Sequence, residues 1–233
     1  MPRYLYKMLS MDLNVKYIPY VIRKSPVREP SLPLRIYIDS KRAYFFCKRV
    51  FDVLASSFVI VFILSWMIPV MALLIRLDSR GPVFFLQKRT GKGGRSFTCL
   101  KLRTMIVNKE ADLWPALKND KRITRIGKFL RDANLDELPQ FFNVLFGSMS
   151  IVGPRPHMIV DCNKFSCVVS RYKMRNLVKP GITGLAQVKG FHGPALDIGT
   201  IFLRYGWDSF YVRHAGFLLD LRIMRQTVGL LFP

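Results

Sequence analysis

Between Val53 and Ile75 the chain runs for 23 residues without a charge, VLASSFVIVFILSWMIPVMALLI. About 20 apolar residues cross the hydrocarbon core of a bilayer as a helix. A helix in a soluble core is seldom apolar on every face over that length, because its outer face meets water. The run therefore predicts a membrane-embedded helix.

The flanks bear on topology. Lys41, Arg42, Lys48 and Arg49 precede the run; Arg76, Arg80, Lys88, Arg89, Lys92 and Arg95 follow it. A spanning helix carries its Lys/Arg excess on the cytoplasmic side only, whereas here both flanks are basic. Pro69 has no backbone N–H and kinks a helix inside the run. A broken helix that enters and leaves by one leaflet fits both facts, while spanning stays open on residues alone.

The charge narrows the partners. Against 37 Lys+Arg stand 15 Asp+Glu, a net charge of +22 over 233 residues. Such a balance calls for a polyanion: nucleic acid, anionic membrane lipids or phosphorylated substrates. Half the residues are hydrophobic, which excludes intrinsic disorder. No nucleic-acid recognition motif is found, so nucleic acid is set aside as a partner. Cys47, Cys99, Cys162 and Cys167 make no CxxC pair and lie far from His157, His192 and His214. That spacing does not suit zinc and reads as free thiols of a reducing compartment.

After the apolar run, Val83–Lys88 and Ser96–Arg103 are β-rich around Gly91-Lys-Gly-Gly94, which predicts a hairpin. Alternation places Phe97, Cys99, Lys101 and Arg103 on one face. Ile123, Ile126 and Leu130 recur at helical spacing among Arg122, Arg125, Lys128 and Arg131, a basic amphipathic helix suited to an anionic surface.

With so few acids, the adjacent pair Asp136-Glu137 stands out. Leu138, Phe141, Phe142, Leu145 and Phe146 follow it at helical spacing. Asn134 is a good N-cap, with Glu137 three residues on as in a capping box. In the plainer reading both acids only match the helix N-terminus. In the functional reading one is a nucleophile or a metal ligand, with Gln140 and Asn143 on the same polar face as Asp136. A hard cation such as Mg²⁺ would take carboxylate and phosphate oxygens there. Ile151-Val-Gly-Pro-Arg155-Pro156 and Lys179-Pro-Gly-Ile-Thr-Gly184 read as rigid turns, each presenting one cation. The stretch Phe217–Phe232 reads as an interfacial or packing helix.

Taken together these residues resemble the bacterial sugar transferases, the monotopic phosphoglycosyl transferases. The resemblance covers residues 48–232. Its pieces are Lys48-Arg-Val-Phe-Asp52, Leu77-Asp-Ser-Arg-Gly-Pro-Val-Phe-Phe85, Gln87-Lys-Arg89-x-Gly91 and Lys101-Leu-Arg-Thr-Met105. Then come Leu135-Asp-Glu-Leu-Pro-Gln140, Ser150-Ile-Val-Gly-Pro-Arg-Pro156, Lys179-Pro-Gly-Ile-Thr-Gly-Leu-Ala-Gln187 and Leu219-Asp-Leu-Arg-Ile-Met224.

The resemblance implies transfer of a sugar-1-phosphate from a UDP-sugar to polyprenyl (undecaprenyl) phosphate, with UMP released. It implies Asp136 as the nucleophile that forms an aspartyl phosphosugar, Glu137 as its assistant, and Mg²⁺ as cofactor with Asp136 as a ligand. Arg131, Lys101, Arg103, Arg155 and Lys179 are implied as phosphate contacts. The implied fold is mainly α with a small β-hairpin (α+β), monotopic, with one re-entrant helix and interfacial amphipathic helices. The chain then divides into an irregular or membrane-surface extension (1–47), a re-entrant helix (48–77) and a catalytic domain (78–233) on the cytoplasmic face of the bacterial inner membrane. Family members often carry Ser-Pro in the helix; here Ser65 is followed by Trp66, and Pro69 comes a turn later, so the break falls at either place. Sugar specificity is expected between Gln187 and Tyr211, with Phe191, His192, Trp207 and Asp208. Downstream glycosyltransferases are implied partners, and a homodimer is compatible with the family. A scaffold that has kept the motif without the chemistry is the competing reading, and the intact acidic pair counts against it.

Overall fold

A computed structural model of the protein describes residues 34–107, 120–169, 171–193 and 197–231. The expected N-terminal extension lies outside the described residues up to position 33, as does Phe232 at the far end. From Leu34 the chain is helical. Helix α1 is Leu34–Ser40, and α2 (Arg42–Val59) continues through one π-helical turn, Ile60–Leu64, into α3 (Ser65–Asp78). The three segments make one apolar helix of 37 residues, about 55 Å along its axis at the usual rise. Its length and composition suffice to cross a membrane.

The departure from α-geometry falls at Ile60–Leu64, the turn before the one that Pro69 disturbs. Pro69 offers no N–H to the Ser65 carbonyl and crowds it; a widened turn is one of the usual accommodations. Side chains fill in for weakened backbone bonds. Ser65 Oγ donates to Val61 O at 2.6 Å, and Trp66 Nε1 donates to Phe62 O at 3.0 Å.

Both ends of this helix are fastened to the same body. Near its start Lys48 Nζ meets Asp220 Oδ2 at 2.5 Å, and Asp220 also accepts from the hydroxyls of Tyr44 and Tyr211. Arg49 donates to the carbonyls of Val144 and Leu145, and Asp52 Oδ1 accepts from Ile151 N at 3.0 Å. At its end Asp78 Oδ2 accepts from Ile126 N at 3.0 Å, while Ile75 packs with Leu102 and Leu130. Between these anchors Phe58, Val61, Phe62, Trp66 and Leu73 are exposed.

The hairpin forms as the alternation predicts. Strands β1 (Phe84–Thr90) and β2 (Ser96–Leu102) pair antiparallel with Phe84 opposite Leu102. Gly93 and Gly94 turn the chain at φ of +69° and +78°. The basic helix is α4 (Arg125–Asp132), capped by Thr124 Oγ1 accepting from Gly127 N. Its apolar side, Ile126 and Leu130, packs inward against Ile75 and Leu102, while Arg125 and Lys128 are exposed.

Two expectations change. A short 3-10 turn, Leu135–Glu137, precedes α5 (Gln140–Leu145), so the acids lie ahead of the helix and not in its first turn. The two segments read as rigid turns contain strands: β3 (Ser150–Val152) and β4 (Gly181–Thr183) pair in parallel. Their glycines are there for close backbone approach. A Cβ on Gly153 would sit 2.4 Å from Lys179 O, and one on Gly181 would sit 2.1 Å from Gly153 N. Helices α6 (Ile159–Val168), α7 (Leu185–Val188), α8 (Ile198–His214) and α9 (Phe217–Leu231) complete the body. Val152, Val178, Leu185, Tyr211, Val212 and Ile223 form its main core. The fold is thus mainly helical with the expected hairpin and one further strand pair.

Candidate active site

Asn134 adopts a left-handed conformation, φ +56°, and its side chain caps nothing. Asn tolerates that region better than most residues, and it throws the next three residues into the tight turn that carries the acids. The capping-box expectation therefore fails. Glu137 turns instead to two cations, because charge-assisted hydrogen bonds are roughly twice as strong as neutral ones. Lys101 Nζ, from β2, meets Glu137 Oε1 at 2.6 Å. Arg155, just after β3, forks onto both oxygens at 2.9 Å and 2.5 Å. Burial alone would raise the Glu137 pKa, but Arg155 and Lys101 outweigh it and hold the carboxyl well below the usual range.

Asp136 is the opposite case. The residue is 9% exposed, and its side chain has no hydrogen-bond or ion-pair partner among the described residues. Burial raises its pKa, opposed by Lys101, Arg131 and Arg155 and reinforced by Glu137. Adjacent carboxyls whose environments push them apart suit division into different roles. Glu137 is a fixed structural anion, and Asp136 is a free carboxylate surrounded by positive charge.

Each cation is aimed by its own support. Arg131, in the last turn of α4, is steadied through Nε to Thr104 Oγ1 at 2.8 Å. Arg155 is held through its main chain: Arg175 Nη2 donates to Arg155 O at 2.6 Å. Arg175 is itself paired with Asp208 at 2.7 Å, both side chains at most 3% exposed. Glu137 in turn holds the Arg155 guanidinium protonated, against the opposing effect of its burial.

The expected site residues thus divide. Asp136, Glu137, Lys101, Arg131 and Arg155 converge. Arg103 is committed elsewhere: it leaves the strand and donates to the carbonyls of Arg80, Ser79 and Ile75 at 2.5, 2.7 and 3.4 Å, closing the end of α3. Gly81, φ +131°, makes room, since a Cβ would lie 2.5 Å from Arg103 Nη1. Lys179 lies beside Arg49, Asp52 and Lys92. Asn143, expected to share a polar face with Asp136, instead bridges α5 to the edge of β2, accepting from Leu100 N and donating to Thr98 O.

Other residues come into view only in three dimensions. Arg89 on β1 donates to Pro156 O at 3.1 Å and to Gln87, and interacts electrostatically with Arg155, Glu137 and Asp161. In the sequence its signals are its place in Gln87-Lys-Arg89-x-Gly91 and in the basic flank of the apolar run, neither of which points to Glu137. Arg204 on α8 donates to Gly193 O at 2.6 Å, which holds the chain next to His192. Burial lowers the His192 pKa, helped by Arg155 and Arg204. Of the expected specificity residues, His192 thus feels the charge of Arg155. Asp208 is a buried brace, and Trp207 packs under Lys189 at 5.4 Å.

A magnesium ion prefers six oxygens and commonly takes one or two protein carboxylates, with substrate phosphates and water as the rest. One free carboxylate, Asp136, fits that demand. Among the described residues no group of three His, Cys, Asp or Glu stands ready to cage a metal, so substrate oxygens would have to complete the sphere.

Comparison with known proteins gives the family of the chain. The family model described as bacterial sugar transferase matches residues 43–233. The UDP-glucose:undecaprenyl-phosphate glucose-1-phosphate transferase of Klebsiella pneumoniae is 43% identical over 182 residues, 78% of this chain and 39% of that protein. A protein of the same name from Caulobacter vibrioides is 41% identical over 201 residues, 85% of this chain and 73% of that protein. The UDP-N-acetylgalactosamine-undecaprenyl-phosphate N-acetylgalactosaminephosphotransferase of Aeromonas hydrophila is 41% identical over 186 residues, 79% of this chain and 43% of that protein. The chain thus spans about two fifths of the Klebsiella and Aeromonas proteins and most of the Caulobacter one. On the match across residues 43–233, this chain belongs to the bacterial sugar transferase family.

Proposed function

We propose that the protein transfers a sugar-1-phosphate from a UDP-sugar to undecaprenyl phosphate, and so starts synthesis of an exopolysaccharide, capsule, O-antigen or glycoprotein glycan. The names of the relatives support the donor and acceptor classes. The observation that carries the chemistry is the contrast between neighbours: among the described residues Glu137 is tied by three hydrogen bonds and Asp136 by none.

In the first step an Asp136 carboxylate oxygen forms a bond to the phosphorus on the sugar side of the diphosphate. The bond to the bridging oxygen breaks, and UMP leaves with the electron pair. In the second step an oxygen of undecaprenyl phosphate attacks the same phosphorus, and Asp136 leaves as a carboxylate. Splitting the transfer in two gives ping-pong kinetics. Such transfers depend mainly on positioning and on neutralising charge. Lys101, Arg131 and Arg155 supply positive charge around Asp136, while Glu137 keeps Lys101 and Arg155 in place. Mg²⁺, held by Asp136 and substrate oxygens, would draw charge from the diphosphate.

The membrane reading belongs to the same proposal: the 42–78 helix enters and leaves by the cytoplasmic leaflet of the inner membrane. Anchors at both ends on one body, Asp52 to Ile151 and Asp78 to Ile126, support it, as do the two basic flanks. Tags at residues 1 and 233 should both be shielded from reagents outside the cell; shielding of only one rejects re-entrance.

The reaction is tested by UMP release from a panel of UDP-sugars with Mg²⁺ and undecaprenyl phosphate. Release with one donor, lost on chelation and lowered by roughly 10⁴ or more in Asp136→Asn, is expected for loss of a nucleophile. Intact mass after donor without acceptor should show one phosphosugar on the parent and none on Asp136→Asn. Near-normal turnover in that variant rejects Asp136 as nucleophile.

A further inference from the structure

A concavity of about 790 Å³ opens at the tip of the hairpin, between the turn Gly91–Gly94, α1 and the 3-10 segment Tyr172–Leu177. It lies away from the Asp136 cluster: Ser96 in its wall and Lys101 at the cluster are five strand residues apart, about 17 Å. Five cations line it, Arg35, Lys92, Arg95, Lys173 and Lys179, against one carboxylate, Asp39. Among the described residues none of the five has an ion-pair partner.

Like charges converge at its inner end. Gly147, φ +86°, separates Arg49 from Lys179: a Cβ there would lie 3.3 Å from Arg49 Nη2 and 3.5 Å from Lys179 Nζ. Burial lowers the Lys179 pKa; Arg49 and Lys92 lower it further, and Asp52 opposes them. Three cations, Arg49, Lys92 and Lys179, against the one carboxylate of Asp52 leave a net positive charge that suits an anion. The depth of that place is also set. Arg49 comes four residues before Val53, where the apolar run begins, about 6 Å along a helix. The polar layer of one leaflet is about 5–8 Å thick, so this end of the groove lies at headgroup level. Residues 1–33 are an unsuitable occupant, because they carry six Lys+Arg against two Asp+Glu.

We propose that this groove is a second phosphate site, distinct from the Asp136 cluster, which takes the headgroup of an anionic phospholipid through Lys92 and Lys179. The inference rests on the reading that the 42–78 helix is lodged in a bilayer. Basic groups at a membrane surface attract anionic lipids, and ammonium–phosphate contacts are among the stronger hydrogen bonds. Fixing one headgroup at the foot of the helix would hold the body at a set pitch on the leaflet.

The test uses the full chain in nanodiscs of phosphatidylcholine alone, with added phosphatidylglycerol, or with both phosphatidylglycerol and undecaprenyl phosphate. The protein is released intact, and retained lipid is counted by native mass spectrometry. A phosphatidylglycerol adduct is expected on the parent. It should drop at least tenfold in Lys92→Gln/Lys179→Gln and return in Lys92→Arg/Lys179→Arg. It should stand unchanged in Lys121→Gln/Lys164→Gln, which removes equal charge from exposed positions elsewhere. A nearly unaltered unfolding midpoint in the first variant is expected, since neither ammonium has an ion-pair partner among the described residues and the one ring contact, Lys92 Nζ over Phe45 at 5.9 Å, is at the far limit of such contacts. Equal retention of phosphatidylglycerol in that variant overturns the site, and so does equal retention of phosphatidylcholine by the parent. Displacement of phosphatidylglycerol by undecaprenyl phosphate overturns the phospholipid assignment. Failure of the underlying membrane reading looks different: the parent would not float with vesicles of any composition, before any variant is compared.

Discussion

Arg155 reaches both carboxylate oxygens of Glu137, at 2.9 Å and 2.5 Å. The same arginine is held from behind, through its carbonyl, by Arg175. Its guanidinium therefore has one fixed direction, and Glu137 is saturated once Lys101 has joined it. A carboxylate so engaged is a poor nucleophile, because its lone pairs are already shared with strong donors. Asp136, one residue earlier, has no such partner and is the oxygen donor left for chemistry. Glu137→Gln tests this division. It keeps the shape but leaves the half-buried Arg155 and Lys101 beside a neutral amide. Hydrogen bonds to charged groups contribute about 1.5–3 kcal/mol, so denaturant unfolding should show a loss of that order. Turnover should fall as well, while the phosphosugar adduct on Asp136 still forms. No adduct at all, in a variant that remains folded, would move the nucleophile to Glu137.

The pH dependence follows from the same pair. Asp136 must be ionised to attack, and burial raises its pKa, so the acid limb of turnover should lie above the ordinary aspartate value of 3.8. Lys101 is the largest of the influences opposing that shift. Lys101→Met removes it, so the limb should move to higher pH. For stability the signs differ between neighbours. Asp136, raised, disfavours the fold when ionised, and relief comes as pH falls through its folded value. Glu137, lowered, stabilises above its ordinary value of 4.5, and that help is lost as pH falls through its depressed folded value. Rate profiles from about pH 4 to 9 decide the first point. A limb that stays put or moves down in Lys101→Met counts against Asp136 as the titrating group.

Buried charge supports the site from a distance. Asp208 and Arg175 are paired at 2.7 Å with almost no exposure, and Arg175 holds Arg155 O. Asp208→Asn leaves a buried guanidinium without its counter-charge. A cost of about 3–5 kcal/mol is expected, with kcat lowered about tenfold because Arg155 loses its brace. Arg175→Lys should fail similarly, since one ammonium cannot reproduce the planar fork. Thermal unfolding and turnover measured together check both variants. Unchanged kcat in a destabilised Asp208→Asn would show that the brace serves the fold alone.

What could be read from the residues divides by range. The apolar run, the hairpin and the basic helix follow from local periodicity, and all three form close to their expected bounds. The turn carrying Asp136 does not begin a helix, because Glu137 answers to Lys101 and Arg155, which lie 36 and 18 residues away. No local cap rule contains those partners. Strand alternation puts Arg103 on the face of Lys101, but the strand stops at Leu102 and the next side chain turns to the end of α3. The segments around Arg155 and Lys179 read as turns because Pro and Gly are turn residues. Their glycines instead let two parallel strands approach closely, which shows only when both segments are seen together. The brace through Asp208 and Arg175 links positions 33 residues apart and has no motif of its own.

At Gly127 the effect of an added methyl runs against helix propensity. Gly127 lies inside α4, where alanine ordinarily stabilises by about 0.5–1 kcal/mol. Here a Cβ would lie 2.0 Å from Thr104 O and 2.6 Å from its carbonyl carbon. Those are backbone atoms, so no rotamer change relieves the clash and α4 must lift from the strand end. Overpacking of this kind costs about 1–3 kcal/mol, which exceeds the propensity gain. Thr104 also holds Arg131, so the displacement reaches the cation nearest Asp136 in sequence. Gly127→Ala should therefore unfold earlier than the parent and turn over more slowly. Gly206→Ala, in α8 where an added Cβ meets nothing within 4 Å, should be neutral or stabilising with turnover kept. If both variants gain stability alike, the close approach of α4 to Thr104 is absent from the protein, and Arg131 must be aimed by some other contact.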